Sequence, residues 1–174
     1  GMSYTDPQEE IYTFGYQLAT PVPNPGFVFD PLDPQNPPIP VYQDQMDASA
    51  PLGLYVAVQG SPSLDPQGYP YVEAMDASND RGLVQTYMGT LTFWEVNGNG
   101  AKLSQIREAS FLESIRDALS DSPVTILDTS TVDDVSFKLD NTWKMQSRMT
   151  MTVSVASRIT ENLSYIATAE VTKV

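Results

Sequence analysis

The sequence predicts an α+β fold: a mostly antiparallel sheet of four to five strands, two helices packed on one face, and an extended proline-rich arm. Three observations carry that expectation. Trp143, Met145, Ser147, Met149, Met151, Val153 and Val155 alternate with Lys144, Gln146, Arg148, Thr150, Thr152 and Ser154, the period of a half-buried strand. Leu103, Ile106, Ala109, Leu112, Ile115, Ala118 and Leu119 recur at three- and four-residue steps, the period of an amphipathic helix. Of the 14 prolines, 13 fall at or before Pro70, so regular structure concentrates downstream. The 174 residues are read as one domain, 1–174, with the arm at 21–52 inside it.

From the N-terminus, Asp6 is a candidate N-cap, Pro7 suits the first helical position, and Glu9 completes a capping pattern. With Ile11, Phe14 and Leu18 on one stripe, this predicts a helix over 7–19, stopped by Pro21. Proline density across 21–52 forbids helix and central strand. The arm still holds Phe27, Phe29, Ile39 and Tyr42, too apolar for a plain linker, so it is expected to cross the surface with side chains pinned to the core or to a neighbour.

Residues 54–59 read as a strand, 60–70 as a turn-rich loop, and 83–96 as a long strand rich in aromatic and Thr residues. Asn97-Gly98-Asn99-Gly100 ends it. That run suits a hairpin by turn chemistry, but the helical pattern of 101–119 favours a strand-to-helix connection. Asp121-Ser122-Pro123 closes the helix, 124–127 is a short strand, and 128–141 a polar loop anchored by Val135 and Phe137. After the 143–155 strand, a turn near 158–162 and a final strand over 165–171 are expected, the two strands forming an antiparallel pair.

The chain has no Cys and no His. This removes disulfides, Cys/His zinc sites, and catalysis that depends on either side chain. The opening residues lack a basic, apolar leader pattern. No run approaches the ~18 apolar residues of a membrane span. The formal net charge is −13, and it is uneven: residues 1–80 hold 11 acids and no Lys or Arg, whereas 81–174 hold 11 acids and 9 bases. Such a surface repels phosphate.

Other motifs carry less. Asp76–Asp80 and Asp128–Asp134 offer oxygen ligands for a hard cation but lack EF-hand spacing, and their residue types also favour turns. Gly98-Asn99-Gly100 lacks the rest of a phosphate-binding fingerprint, so a turn with Asn99 near the N-cap is expected. Asn162-Leu163-Ser164 matches a glycosylation sequon with no secretory context. Met145, Met149 and Met151 suit core filling or an adaptable contact surface. No cofactor and no metal is expected. Twenty-two acidic residues make some carboxylate pair inevitable, but a glycosidase-type hydrolase needs a cleft that so small a domain rarely has.

The order of these elements resembles the phage neck-terminator family, relatives of tail-terminator and tail-completion proteins. The likeness spans Asp6 to Val171 and is most specific from Trp143, with Arg148 five residues on, to the closing strand. It implies a structural, non-enzymatic subunit of a tailed-phage virion, assembled in the bacterial cytoplasm. It further implies a homo-oligomeric ring, often hexameric, at the head–tail neck or tail end, between head-connector and tail-tube proteins. DNA would slide through an acidic channel without specific binding. Another tail or baseplate component, or an accessory binding module, is the alternative. Trp143, Arg148, Phe27 and Phe29 become the candidate subunit-interface residues. The plainer and favoured expectation is that Trp143 is a core or rim anchor and Arg148 belongs to the exposed face; the sharper alternative is that Arg148 pairs with acidic residues of the arm at a subunit boundary.

Overall fold

The computed structural model describes residues 2–19, 41–43, 53–74 and 77–162. In chain order these form β1 (Met2–Tyr4), α1 (Pro7–Ala19), β2 (Val41–Gln43), β3 (Tyr55–Gln59), β4 (Asp65–Val72), β5 (Asp80–Val96) and α2 (Ala101–Ala109). There follow α3 (Glu113–Ala118), β6 (Val124–Thr129), β7 (Asp133–Asp134), β8 (Phe137–Leu139), β9 (Thr142–Lys144) and β10 (Gln146–Asn162). The fold is α+β with a mostly antiparallel sheet.

Its spine is the pairing of β5 with β10, unbroken from Asp80↔Asn162 to Val96↔Gln146. Both strands alternate long or branched apolar residues with Thr and Ser, which suits a pleated surface with one dry face. Opposed pairs Leu91↔Met151 and Phe93↔Met149 lie at the centre, and all four side chains are fully buried. Each such side chain contributes about 1.5–3 kcal/mol by leaving water. The other strands attach to the free edges of this ribbon. β3 and β4 line the second edge of β5, while β7, β6 and β1 line successive stretches of β10. β2 runs parallel to β3 at the margin. The sheet therefore has eight strands among the described residues, more than the four or five expected.

One face of the sheet is covered by the helices. Ile11, Phe14 and Leu18 of α1 and Leu103, Ile106 and Ala109 of α2 join Ile115 of α3 over Val56, Val58, Leu91, Phe93 and Met149, Met151, Val153 and Val155 of β10 in a single cluster. Asp6 Oδ1 accepts from Gln8 N at 3.0 Å, so the expected N-cap of α1 is made. Gly15 is where α1 touches the sheet most closely. A Cβ there would lie 2.5 Å from Leu91 Cδ1 and 3.0 Å from Val58 Cγ1.

The β5–α2 connection turns on a buried carboxylate. Glu95, 1% exposed, shares the dry face of β5 and reaches the start of α2. Its Oε2 accepts from Gly100 N at 2.7 Å, and its Oε1 accepts from Lys102 N at 2.7 Å and Leu103 N at 3.2 Å. Gly100, the N-cap residue, has no side chain to do this and adopts φ 90°, a left-handed conformation natural to glycine. Asn99 Oδ1 accepts from Ala101 N at 3.1 Å. The strand-to-helix reading of 97–100 holds, with Asn99 beside the cap as expected.

Several expectations are corrected. The single helix over 101–119 is two, because Leu112 is extended (ψ 132°) and Ser110 Oγ donates back to Arg107 O at 2.6 Å, a hydroxyl competing for helix backbone. The 60–70 loop contains most of β4, whose residues are all exposed. Backbone pairing to β5 holds it, with Pro66 opposite Tyr87 and a bulge between Gln67 and Tyr71 that takes in Pro70, positions an edge strand tolerates. The 128–141 loop contains β7 and β8, and Val41–Gln43 within the arm is strand β2. β10 runs straight through the turn expected at 158–162, held there by β1 and by an ion pair between Arg158 and Glu73. A strand has two edges, and those of Met151–Val155 are taken by β5 and β6, so this stretch has none left for the expected final strand. Residues 165–171 themselves lie outside the described residues.

Two substitutions test this packing. Gly15→Val is expected to cost about 1–3 kcal/mol through overpacking against Leu91 and Val58, read by thermal or denaturant unfolding. Glu95→Ala, which takes the acceptor from three N–H groups, two of them in buried bonds, is expected to cost about 1–3 kcal/mol and to speed hydrogen exchange at Gly100, Lys102 and Leu103 ahead of the β5–β10 amides.

Candidate functional site

The candidate interface residues separate in the structure. Trp143 is not on the long strand. It belongs to a hairpin, β8–β9, that forms its own two-stranded sheet with Phe137↔Lys144, Lys138↔Trp143 and Leu139↔Thr142 opposed. The reason is local. Asp140 (φ 49°) and Asn141 (φ 64°) both occupy the left-handed region, the requirement of a tight two-residue hairpin turn. The alternation from Trp143 to Val155 therefore spans two elements, broken at Met145, and the core-anchor reading of Trp143 fails: it is 66% exposed.

The hairpin projects from the end of the ribbon. The last pair of β5 with β10 is Val96↔Gln146, so β9 has no β5 partner beyond it. Its base is fixed by Val135 N donating to Gln146 O at 2.8 Å and Gln146 N donating to Ser136 Oγ at 3.0 Å. Opposed residues share a face, which places Phe137 and Leu139 on one side of the hairpin and Trp143 on the other. Phe137, Leu139, Trp143 and Met145 are all solvent-exposed. A two-stranded hairpin with exposed apolar side chains on both sides is marginal by itself, and exposed apolar patches are common at contact surfaces. The sequence did contain the signal, Asp140-Asn141 between two short β-prone runs, but the period-2 pattern across 143–155 masked it.

Arg148 lies on the outer face of β10, opposite Trp94 of β5. Its guanidinium sits 5.5 Å from the Trp94 ring centroid, a cation–π contact worth about 0.5–1 kcal/mol at an exposed site. Trp143 and Arg148 are thus on different elements, and Arg148 fits the exposed-face reading. Phe27 and Phe29, and the arm acids expected to meet Arg148, lie outside the described residues.

A second feature, missed from sequence, is a groove where α1, α3 and β6 meet. Its cavity is about 300 Å³ and is lined by Phe14, Leu18, Ile115, Leu119, Val124 and Ile126, with Arg116 also at its wall. A depression beside it, sharing Leu119 and Ser122, carries Glu10 and Asp121.

The carboxylates of 128–134 serve local turns. Asp128 Oδ1 accepts from Thr129 N, Asp133 Oδ1 from Thr131 Oγ1, and Asp134 Oδ1 from Ser136 N, each at 2.9 Å. The Ser136 side chain and backbone N–H hold the Asp134 carboxyl below its usual range. Among the described residues no three Asp, Glu, His or Cys side chains converge as a metal site. Asp76 lies outside the described residues; Asn162 Nδ2 donates to Asp80 Oδ1 at 2.8 Å. At the start of α2, the place an anion would occupy is filled by Glu95 itself. No described helix is long and apolar enough to cross a membrane.

In comparisons with known proteins, no family model matches the chain, and no curated protein matches it.

Because Trp143 is largely exposed, Trp143→Ala is expected to change unfolding stability by no more than about 0.5 kcal/mol, measured by denaturant titration. The Asp134 carboxyl is expected to titrate below the ordinary Asp range by NMR and to move back up in Ser136→Ala. Its folded value lies below its unfolded one, so its small contribution is present above the unfolded pKa and fades as pH falls through the folded pKa.

Proposed function

We propose that this chain is a structural, non-catalytic subunit of a tailed bacteriophage that assembles with copies of itself into a ring at the head–tail neck or tail end. The observation that carries the reading is the β8–β9 hairpin, which presents Phe137, Leu139, Trp143 and Met145 to solvent beyond the end of the sheet. A single copy gains nothing from that exposure, whereas a neighbouring subunit would bury it. The α+β subunit with helices on one face of the sheet is also what the resemblance to neck terminators implies. The charge of −13 supports a channel along which DNA slides without adhering. In this reading the neighbours along the particle axis are head-connector and tail-tube proteins, and assembly takes place in the host cytoplasm.

The same hairpin would also serve an accessory tail or baseplate module that grips a different protein. The two readings diverge on self-association. Imaging of the parent particle with this protein labelled is expected to place the label in a ring at the neck or tail end; label elsewhere, or none, rejects the ring reading. In solution, assembly is expected to shift Trp143 emission to the blue as the indole leaves water, read in a Trp94→Phe background, and Trp143→Ala is expected to lower the oligomer fraction by tenfold or more in light scattering. A blue shift that appears only on adding another tail protein favours the accessory module.

A further inference from the structure

We infer that the β8–β9 hairpin of one copy seats in the groove between α1, α3 and β6 of the next copy, a head-to-tail contact. This rests on the reading of the chain as a self-assembling subunit and names the two surfaces that meet.

Three observations point to a second copy. The first is reach. Ile126, on the groove wall, pairs with Val153, eight positions along the chain from the hairpin base at Met145, or ~26 Å at ~3.3 Å per residue. The hairpin is three pairs long, ~10 Å on the same scale, so it does not reach the groove of its own chain. The second is charge. Phe137–Lys144 carries Lys138, Lys144 and Asp140, a net +1 in a chain of −13. Glu10 and Asp121 stand in the depression beside the groove and outnumber Arg116 on the groove wall, so the receiving surface stays net acidic and complementary to the hairpin. The third is shape and chemistry. The groove is about 300 Å³; its apolar wall, Phe14, Leu18, Ile115, Leu119, Val124 and Ile126, stands beside a polar rim of Arg116 and Ser and Thr residues, a mixture that suits an aromatic anchor such as Trp143 or Phe137, residue types enriched where protein contacts are strongest. Projection and receptor are different surfaces of one subunit, so the contact is heterologous, and its repetition closes a ring or propagates a filament.

The chain has no cysteine, which allows a direct test in the full-length protein. Thr142→Cys marks the hairpin and Ser120→Cys marks the groove rim, both exposed positions. A short bismaleimide is expected to link the two single variants when mixed, giving a dimer that neither forms alone, and to produce a ladder of multimers from the double variant. Trp143→Ala in that double variant is expected to reduce the ladder at least tenfold with the fold intact by circular dichroism. Thr142→Cys linking to itself would overturn the head-to-tail contact in favour of paired hairpins. Linking of the hairpin only to a different virion protein would overturn it as well. Rings seen by light scattering or particle imaging without hairpin-to-groove linking would overturn this contact and leave the ring reading standing. Linking in solution with no label at the neck or tail end of the particle would keep the contact and remove the ring's proposed location.

Discussion

The structure depends on one constraint: β5 and β10 are each 17 residues long and pair without slippage from end to end. A one-residue slip would send Met149, Met151, Val153 and Val155 to the outer face and bring Arg148, Thr150 and Thr152 under the helices. That outcome would strip the dry face of its apolar lining and bury a guanidinium. Register is therefore set by burial along the middle of the ribbon. The ends, where one face is less sharply apolar, are held by other means: the Arg158–Glu73 ion pair and β1 at one end, and Asn97 N donating to Met145 O at 2.9 Å at the other. Every remaining strand pairs to this ribbon, or through β3 in the case of β2, except the two of the projecting hairpin.

Glu95 ties the helical layer to that ribbon. A carboxylate in the core costs heavily unless its oxygens are occupied, and here both accept backbone N–H groups at the start of α2, where the partial positive charge of the helix favours an anion. The helix in turn lacks a capping side chain at Gly100. Each half resolves the other's difficulty. The arrangement also accounts for Gly98, where a side chain would collide with the Glu95 carboxylate. An acid two residues before a Gly/Asn turn is thus part of the fold.

The parts of the chain that lack a burial role are equally informative. β4 is exposed along its whole length, Tyr69 to 97%, and the β8–β9 hairpin leaves the sheet altogether. Both are backbone-paired segments whose side chains stay exposed. Neither was legible in advance, because a strand with no buried face has no apolar alternation to read. Turn chemistry was the only available signal for the hairpin, and a neighbouring pattern overran it. For β4, proline content pointed the other way, since Pro66 and Pro70 are tolerated only at an edge.

By itself the sequence determined what depends on near neighbours in the chain: α1 with its Asp6 cap and its Ile11–Phe14–Leu18 stripe, the inward face of 147–155, the strand-to-helix turn at 97–100, and the fold class. These follow from spacing and local sterics, which a linear pattern records. The tertiary structure alone decided which edges pair, that β6 and not a later segment lies beside Met151–Val155, that Glu95 caps a helix, and that Trp143 stands in solvent while Arg148 covers Trp94. Those outcomes rest on competition for a fixed number of strand edges and buried acceptors, and such competition is settled only when distant segments meet.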